Sequence, residues 1–238
     1  MRTYRAKTGP FLERPFYTTE DIESICIDEL YKTDLMPPEP GPVRIDRFIE
    51  KRFEISINYN EDLPESVLGV IEFGPNGVKG LKISRALADE GTKVSERRLS
   101  VTLAHEGGHG LLHTHLFVLG EKPTSLFGDE ESNEPKILCR NNTVLGGQDS
   151  RETAYSGKWW EYQANLAIGP LLLPRKLVHE ALTPFLVTKG IMGMKKLNSS
   201  RRAEAERKLS HVFDVNPIVA RIRLEGLFPV SEEKQLTL

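Results

Sequence analysis

The stretch Val101 to His115, VTLAHEGGHGLLHTH, constrains this chain more than any other, because His105, Glu106 and His109 form the pattern H-E-x-x-H. On a helix, residues four apart share one face about 5.4 Å from each other, so both imidazoles can turn toward one metal ion. Glu106 then stands beside that ion. In hydrolytic sites of this kind three protein ligands hold the metal and a water, its pKa lowered toward about 7, takes the fourth position and gives its proton to the carboxylate. The pattern points to metal-assisted peptide hydrolysis. The plainer reading is an amphipathic helix with two surface histidines.

The surroundings favour a buried helix. Ser95 is placed to cap its start, Glu96 lies in the first turn, and Leu99, Val101, Leu103, Ala104, Leu111 and Leu112 supply apolar faces. Gly107, Gly108 and Gly110 oppose it, at about 1 kcal/mol each relative to alanine. Their expected use is the close approach of a neighbouring element or of a substrate.

A third ligand has four candidates. His113 lies about 12 Å along the helix axis from His105, too far for one ion, and reads as a surface residue or a partner behind the ligands. His115 has the offset of the last metzincin histidine, but Leu112 stands where that pattern needs a chain-redirecting glycine. Cys139 is a soft ligand whose position nothing fixes. Glu161 is the strongest choice, because the predicted helix KWWEYQANLAIGP would pack it against the metal helix through Trp159, Tyr162 and Leu166, with Asn165 one turn on as a supporting partner.

Along the rest of the chain, residues 1–17 read as an irregular basic arm. Thr18 or Thr19 caps a helix to about Tyr31, with Cys26 as a buried small hydrophobe on its stripe; the proline-rich 36–43 cannot be helical, and a second helix runs from about Arg44 to Phe53. Alternation at Ile55, Ile57 and Tyr59, then Leu68 to Phe73 and Val78 to Ser84 across the turn Gly74-Pro75-Asn76-Gly77, predicts a small antiparallel sheet of three strands. An exposed edge of that sheet can hold an extended peptide by backbone hydrogen bonds. The insertion 116–157, with an acidic loop at 128–135, reads as a cover for a cleft. Pro174 opens a helix through about Val187, and 190–200 is a linker. Two final helices flank Asp214-Val215-Asn216-Pro217 with helix-turn-helix spacing, yet only Arg221 and Arg223 on the second offer charge to a nucleic acid.

The combination TLAHEGGHGLLH with WEYQANLAIGPLLLP resembles the ImmA/IrrE family of metallopeptidases, in which a histidine-bearing helix is followed by E-x-x-A-N-x-x-A and an apolar stretch ending in proline, here Glu161, Ala164, Asn165, Ala167 and Pro174. The resemblance covers roughly 40–228. It implies an α+β, mainly helical zincin-like fold, with a peptidase domain at 18–188 and a helix-turn-helix-like segment and tail at 189–238. It also implies His105, His109 and Glu161 as zinc ligands, with manganese the alternative ion, and Glu106 as catalytic base. The family cleaves helix-turn-helix repressors, so a transcriptional repressor is the implied protein substrate. Two departures are the long interval between His109 and Glu161 and the pair Gly107-Gly108, where similar sequences carry a bulkier residue.

Composition agrees with this class and separates it from others. Thirty-two basic against thirty-four acidic side chains create no global field for nucleic acid or membrane. Two cysteines fit a reducing compartment, and with no secretory leader or long apolar run the expected location is the cytoplasm. Tyr155, His179 and Arg140 are equal candidates for a second electrophile, and Cys139 for a regulatory thiol at the metal. The opposing reading is a non-catalytic binding module that works through the C-terminal helices.

Overall fold

The computed structural model describes residues 2–5, 13–118, 136–140, 158–189 and 194–229. Helix α1, Thr19–Lys32, begins at a reciprocal cap: the Asp21 amide donates to Thr18 Oγ1 and the Thr18 amide donates to the Asp21 carboxylate, satisfying two otherwise orphaned donors. Its stripe of Ile22, Cys26 and Leu30 is fully buried. After the proline-rich link, α2, Ile45–Phe53, turns Phe48 and Ile49 into the same core.

Within the arm expected to be irregular, the described residues include two strands. Strands β1, Arg2–Arg5, and β2, Glu13–Phe16, pair antiparallel, with the Tyr4 and Phe16 rings edge to face at 5.7 Å. Short basic segments carry little alternation, so only the pairing reveals them.

The sheet is mixed rather than antiparallel. Strands β3, Ile57–Glu61, β4, Val67–Gly74, β5, Gly77–Ser84, and β6, Lys136–Arg140, lie in the order β3-β5-β4-β6. The β4–β5 hairpin turns tightly at Gly77, whose φ of 122° favours glycine, and inserts β5 between β3 and β4, so that β3 and β5 run parallel. Strand β6 comes from the insertion expected to be a cover and pairs antiparallel with β4. The β4 edge is thus occupied. The rest of the interval, 119–135 and 141–157, lies outside the described residues.

A short helix α3, Arg85–Asp89, leads to the long α4, Lys93–Val118. Its cap is Thr92 rather than Ser95: the Ser95 amide donates to Thr92 Oγ1 and the Thr92 amide donates to Ser95 Oγ, which puts Ser95 one turn inside. Helix α5, Trp159–Leu172, packs along α4. Gly108 makes this approach close, since a Cβ there would meet Ala167 Cβ at 2.9 Å and the Ala164 carbonyl at 3.0 Å. A Cβ at Gly110 would meet the Phe53 ring of α2 at 2.4 Å. These glycines therefore trade helix propensity for helix contact.

Helix α6, Arg175–Ala181, is shorter than expected, because after a 3-10 turn at Thr183–Phe185 the chain forms β7, Leu186–Lys189, against β8, Met194–Leu197. The expected linker therefore contains a strand. Helices α7, Arg202–Val212, and α8, Pro217–Leu227, close the fold, and Leu209, Phe213, Val215 and Leu224 join the core that holds α1, α4 and α5. At the turn between them Asp214, with φ 53°, binds Lys93 at 2.6 Å and Arg97 at 3.0 Å and ties this pair to the start of α4. The architecture is α+β and mainly helical. No described helix is long and apolar enough to cross a membrane.

Candidate metal centre

Helix α4 presents His105 and His109 one turn apart, and α5 brings Glu161 to them across the Gly108 contact. His105 Nε2 and His109 Nε2 lie 3.1 Å apart, and Glu161 Oε2 lies 3.2 Å from the first and 3.6 Å from the second. All three residues are buried. A tetrahedral ion with bonds of about 2.0–2.1 Å holds its ligand atoms roughly 3.3 Å apart, so this triangle has the size such an ion requires. The group could hold a metal ion.

The ring nitrogens agree with that use. His105 Nδ1 lies 2.9 Å from Asn165 Oδ1, an acceptor, so Nδ1 carries the hydrogen and Nε2 keeps its lone pair for the centre. Asn165 follows Glu161 by four residues on α5 and shares its face. Among the described residues, none donates a hydrogen bond to Glu161 Oε2 in its buried position. Burial disfavours the charged form of the Glu161 carboxyl, and only positive charge on the side of His109 and His105 opposes that. Lone pairs converging on one buried point repel each other unless a cation lies among them.

His113, read from sequence as a surface residue or a supporting one, is fully buried and takes the second role. Its Nδ1 lies 2.9 Å from His109 Nδ1, its Nε2 lies 3.0 Å from Gln163 Oε1, and its ring packs edge-on to Trp159 at 5.7 Å. Burial pushes His113 well below its ordinary pKa and also lowers His109, which keeps both rings neutral. Gln163 had no sequence signal: it lies two positions from Glu161, off the face shared with Asn165. The i, i+4 spacing of His109 and His113 was a usable signal, since it puts both on one face.

Glu106 is fully buried, and β4 passes against it at Gly69, where a Cβ would meet Thr102 Cγ2 at 2.9 Å and Glu106 Oε1 at 3.2 Å. Glycine there lets the strand approach the carboxylate. The remaining candidates stand apart. Helix α4 runs unbroken through Leu112 to Val118, so His115 is carried about 15 Å beyond His105 and lies outside the triangle. His179 packs against Phe228 at 4.9 Å. Cys139 is paired with Gly69 in the β4–β6 register, but its side chain, like that of Arg140 and all of Tyr155, lies outside the described residues. Arg223 is buried against Glu23, and Arg221 is bound to Glu206 at 3.1 Å, so both arginines of α8 are engaged within the protein. No protein-family model matches the chain and no curated protein matches it.

Proposed function

We propose that this protein is a zinc-dependent endopeptidase with a zincin-like site, of the kind its ImmA/IrrE resemblance implies. The observation that carries the reading is the convergence of His105 Nε2, His109 Nε2 and Glu161 Oε2 within 3.1–3.6 Å, with Glu106 next in sequence to the first ligand. Two imidazoles and one carboxylate suit zinc better than an all-oxygen set would, and manganese is the second choice.

When bound, the ion supplies a Lewis acid that polarises the scissile carbonyl and acidifies the attacking water. His105, His109 and Glu161 hold that charge in a water-poor setting, where its field is strong. Asn165 keeps the His105 ring turned inward. Glu106 accepts a proton from the water as its oxygen attacks the carbonyl carbon, then delivers that proton to the nitrogen as the C–N bond breaks; the second water proton passes from the new carboxyl group to the amine, leaving a carboxylate and an ammonium. A substrate added as a strand would use the β4 edge beside Glu106, so it must take that edge from β6. A transcriptional repressor is the proposed substrate.

Glu106→Gln tests the reading. The variant should retain one zinc per chain by elemental analysis while turnover falls by about 10²–10⁴. New protein N-termini that appear in a cell extract with the wild type should be absent with the variant. Equal cleavage by both would end the peptidase reading; for the binding-module alternative, Arg221 and Arg223 of α8 are already engaged within the protein.

A further inference from the structure

The two histidines are oriented by very different means. His105 leans on one side chain, Asn165, whereas His109 leans on a chain of groups that ends in the N-terminal ribbon. Gln163 Nε2 donates to the Pro15 carbonyl of β2 at 3.0 Å, and a carbonyl can only accept, so the amide is locked with its oxygen toward His113. That oxygen, 3.0 Å from His113 Nε2, also only accepts, so the hydrogen of His113 sits on Nε2. His113 Nδ1 is then a lone pair. The 2.9 Å contact between the Nδ1 atoms of His113 and His109 needs one hydrogen, which His109 must provide. His109 Nε2 is left bare, and it is the nitrogen that faces His105 and Glu161.

Reversing the amide of Gln163 would reverse every later link. An NH₂ turned to His113 would demand a lone pair at Nε2, place the hydrogen on His113 Nδ1, and drive the hydrogen of His109 to Nε2, where it blocks coordination. All the side chains involved are buried, so water cannot substitute for a missing partner.

We propose that the Pro15 carbonyl, Gln163 and His113 form a relay that fixes His109 in its metal-binding tautomer, making the β1–β2 ribbon part of the metal centre. This rests on reading the triangle as a metal site and is independent of peptidase activity. Gln163 and His113 are positioning residues.

The test is the ring-nitrogen NMR spectrum of His109 in the full-length metal-free protein, together with the zinc dissociation constant. Wild type should show hydrogen at Nδ1. Gln163→Met, which removes both bonds at similar size, should move hydrogen to Nε2 and weaken zinc about 10–100-fold. Gln163→Glu keeps an acceptor for His113 but cannot donate to Pro15. It should preserve the tautomer and stay within about threefold of wild-type affinity, while the ribbon amides lose protection from hydrogen exchange. A wild-type His109 with hydrogen at Nε2 would overturn the relay whether or not the variants fold. So would a folded Gln163→Met protein with unchanged tautomer and affinity. A failure of the metal reading looks different: wild type would bind no zinc even with the expected tautomer.

Discussion

Helix α5 carries a buried charged cluster at each end, and the two are finished differently. At its C-terminal end Arg223 donates through Nε to the Leu173 carbonyl at 2.9 Å and through its two terminal nitrogens to the Glu23 carboxylate at 2.8 and 2.7 Å. Donors meet acceptors there, and the cation also complements the negative end of the helix. At the N-terminal end Glu161 Oε2 and two ring nitrogens meet acceptor to acceptor. A buried ion pair that completes itself is structural. One that is completed only by an added cation marks a site.

The sharpest way to break this contrast is to cut each cluster once. Glu161→Ala should reduce zinc affinity by more than the roughly 10–100-fold that loss of an outer partner costs. It should also abolish the stabilisation zinc confers, which is about 2.7 kcal/mol at a hundredfold excess over Kd and is readable as a Tm shift. Arg223→Met should do the opposite: lower stability by about 3–5 kcal/mol through the stranded Glu23 charge, with zinc content unchanged. Denaturant unfolding checks it, and adding Glu23→Leu should recover most of the loss. If Arg223→Met also emptied the metal centre, the two clusters would be one.

Smaller effects sharpen the same comparison at the α4 contacts. Gly110→Ala gains helix propensity yet drives a Cβ into the Phe53 ring, so we expect a net loss of about 1–3 kcal/mol in unfolding free energy, relieved by Phe53→Leu. The smallest effect belongs to Asp214, whose side chain is 35% exposed. Burial raises its carboxyl, but Lys93 and Arg97 outweigh that and hold it below the usual value of 3.8. A depressed carboxyl adds stability that is complete above its unfolded pKa and is lost as pH falls through the folded one. With solvent screening this is under about 1 kcal/mol. Asp214→Asn tolerates the same left-handed backbone, so it should flatten the acid limb of the stability profile below about pH 4 by that amount.

What could be read locally is seen in α4 and α5. The histidine spacing and the Glu161–Asn165 face follow from a helix rising about 1.5 Å per residue, and they recur in the structure; of Thr18 and Thr19, the hydrogen bonds assign the cap of α1 to Thr18. Local rules misplaced the cap of α4: Ser95 was the expected cap, whereas the hydrogen bonds assign it to Thr92, three residues earlier and also of a capping type. They failed where an element exists only through its partner, as with β6 on β4, β8 on β7 and the N-terminal ribbon. The parallel pairing of β3 and β5 belongs here too, since alternation says which face is buried but not which strand lies alongside.

By itself the sequence determined the chemistry on offer: an H-E-x-x-H helix, a glutamate four residues before an asparagine on a second helix, and a turn before the metal helix. Only the tertiary structure decided how those groups are completed. Gln163 meets His113 across 50 positions and Pro15 across 148, and it is these contacts that determine which nitrogen of His109 is bare. Helix geometry fixes neighbours within a turn or two, whereas a hydrogen bond across the chain depends on how closely whole helices pack, here on glycines at α4 that admit no Cβ.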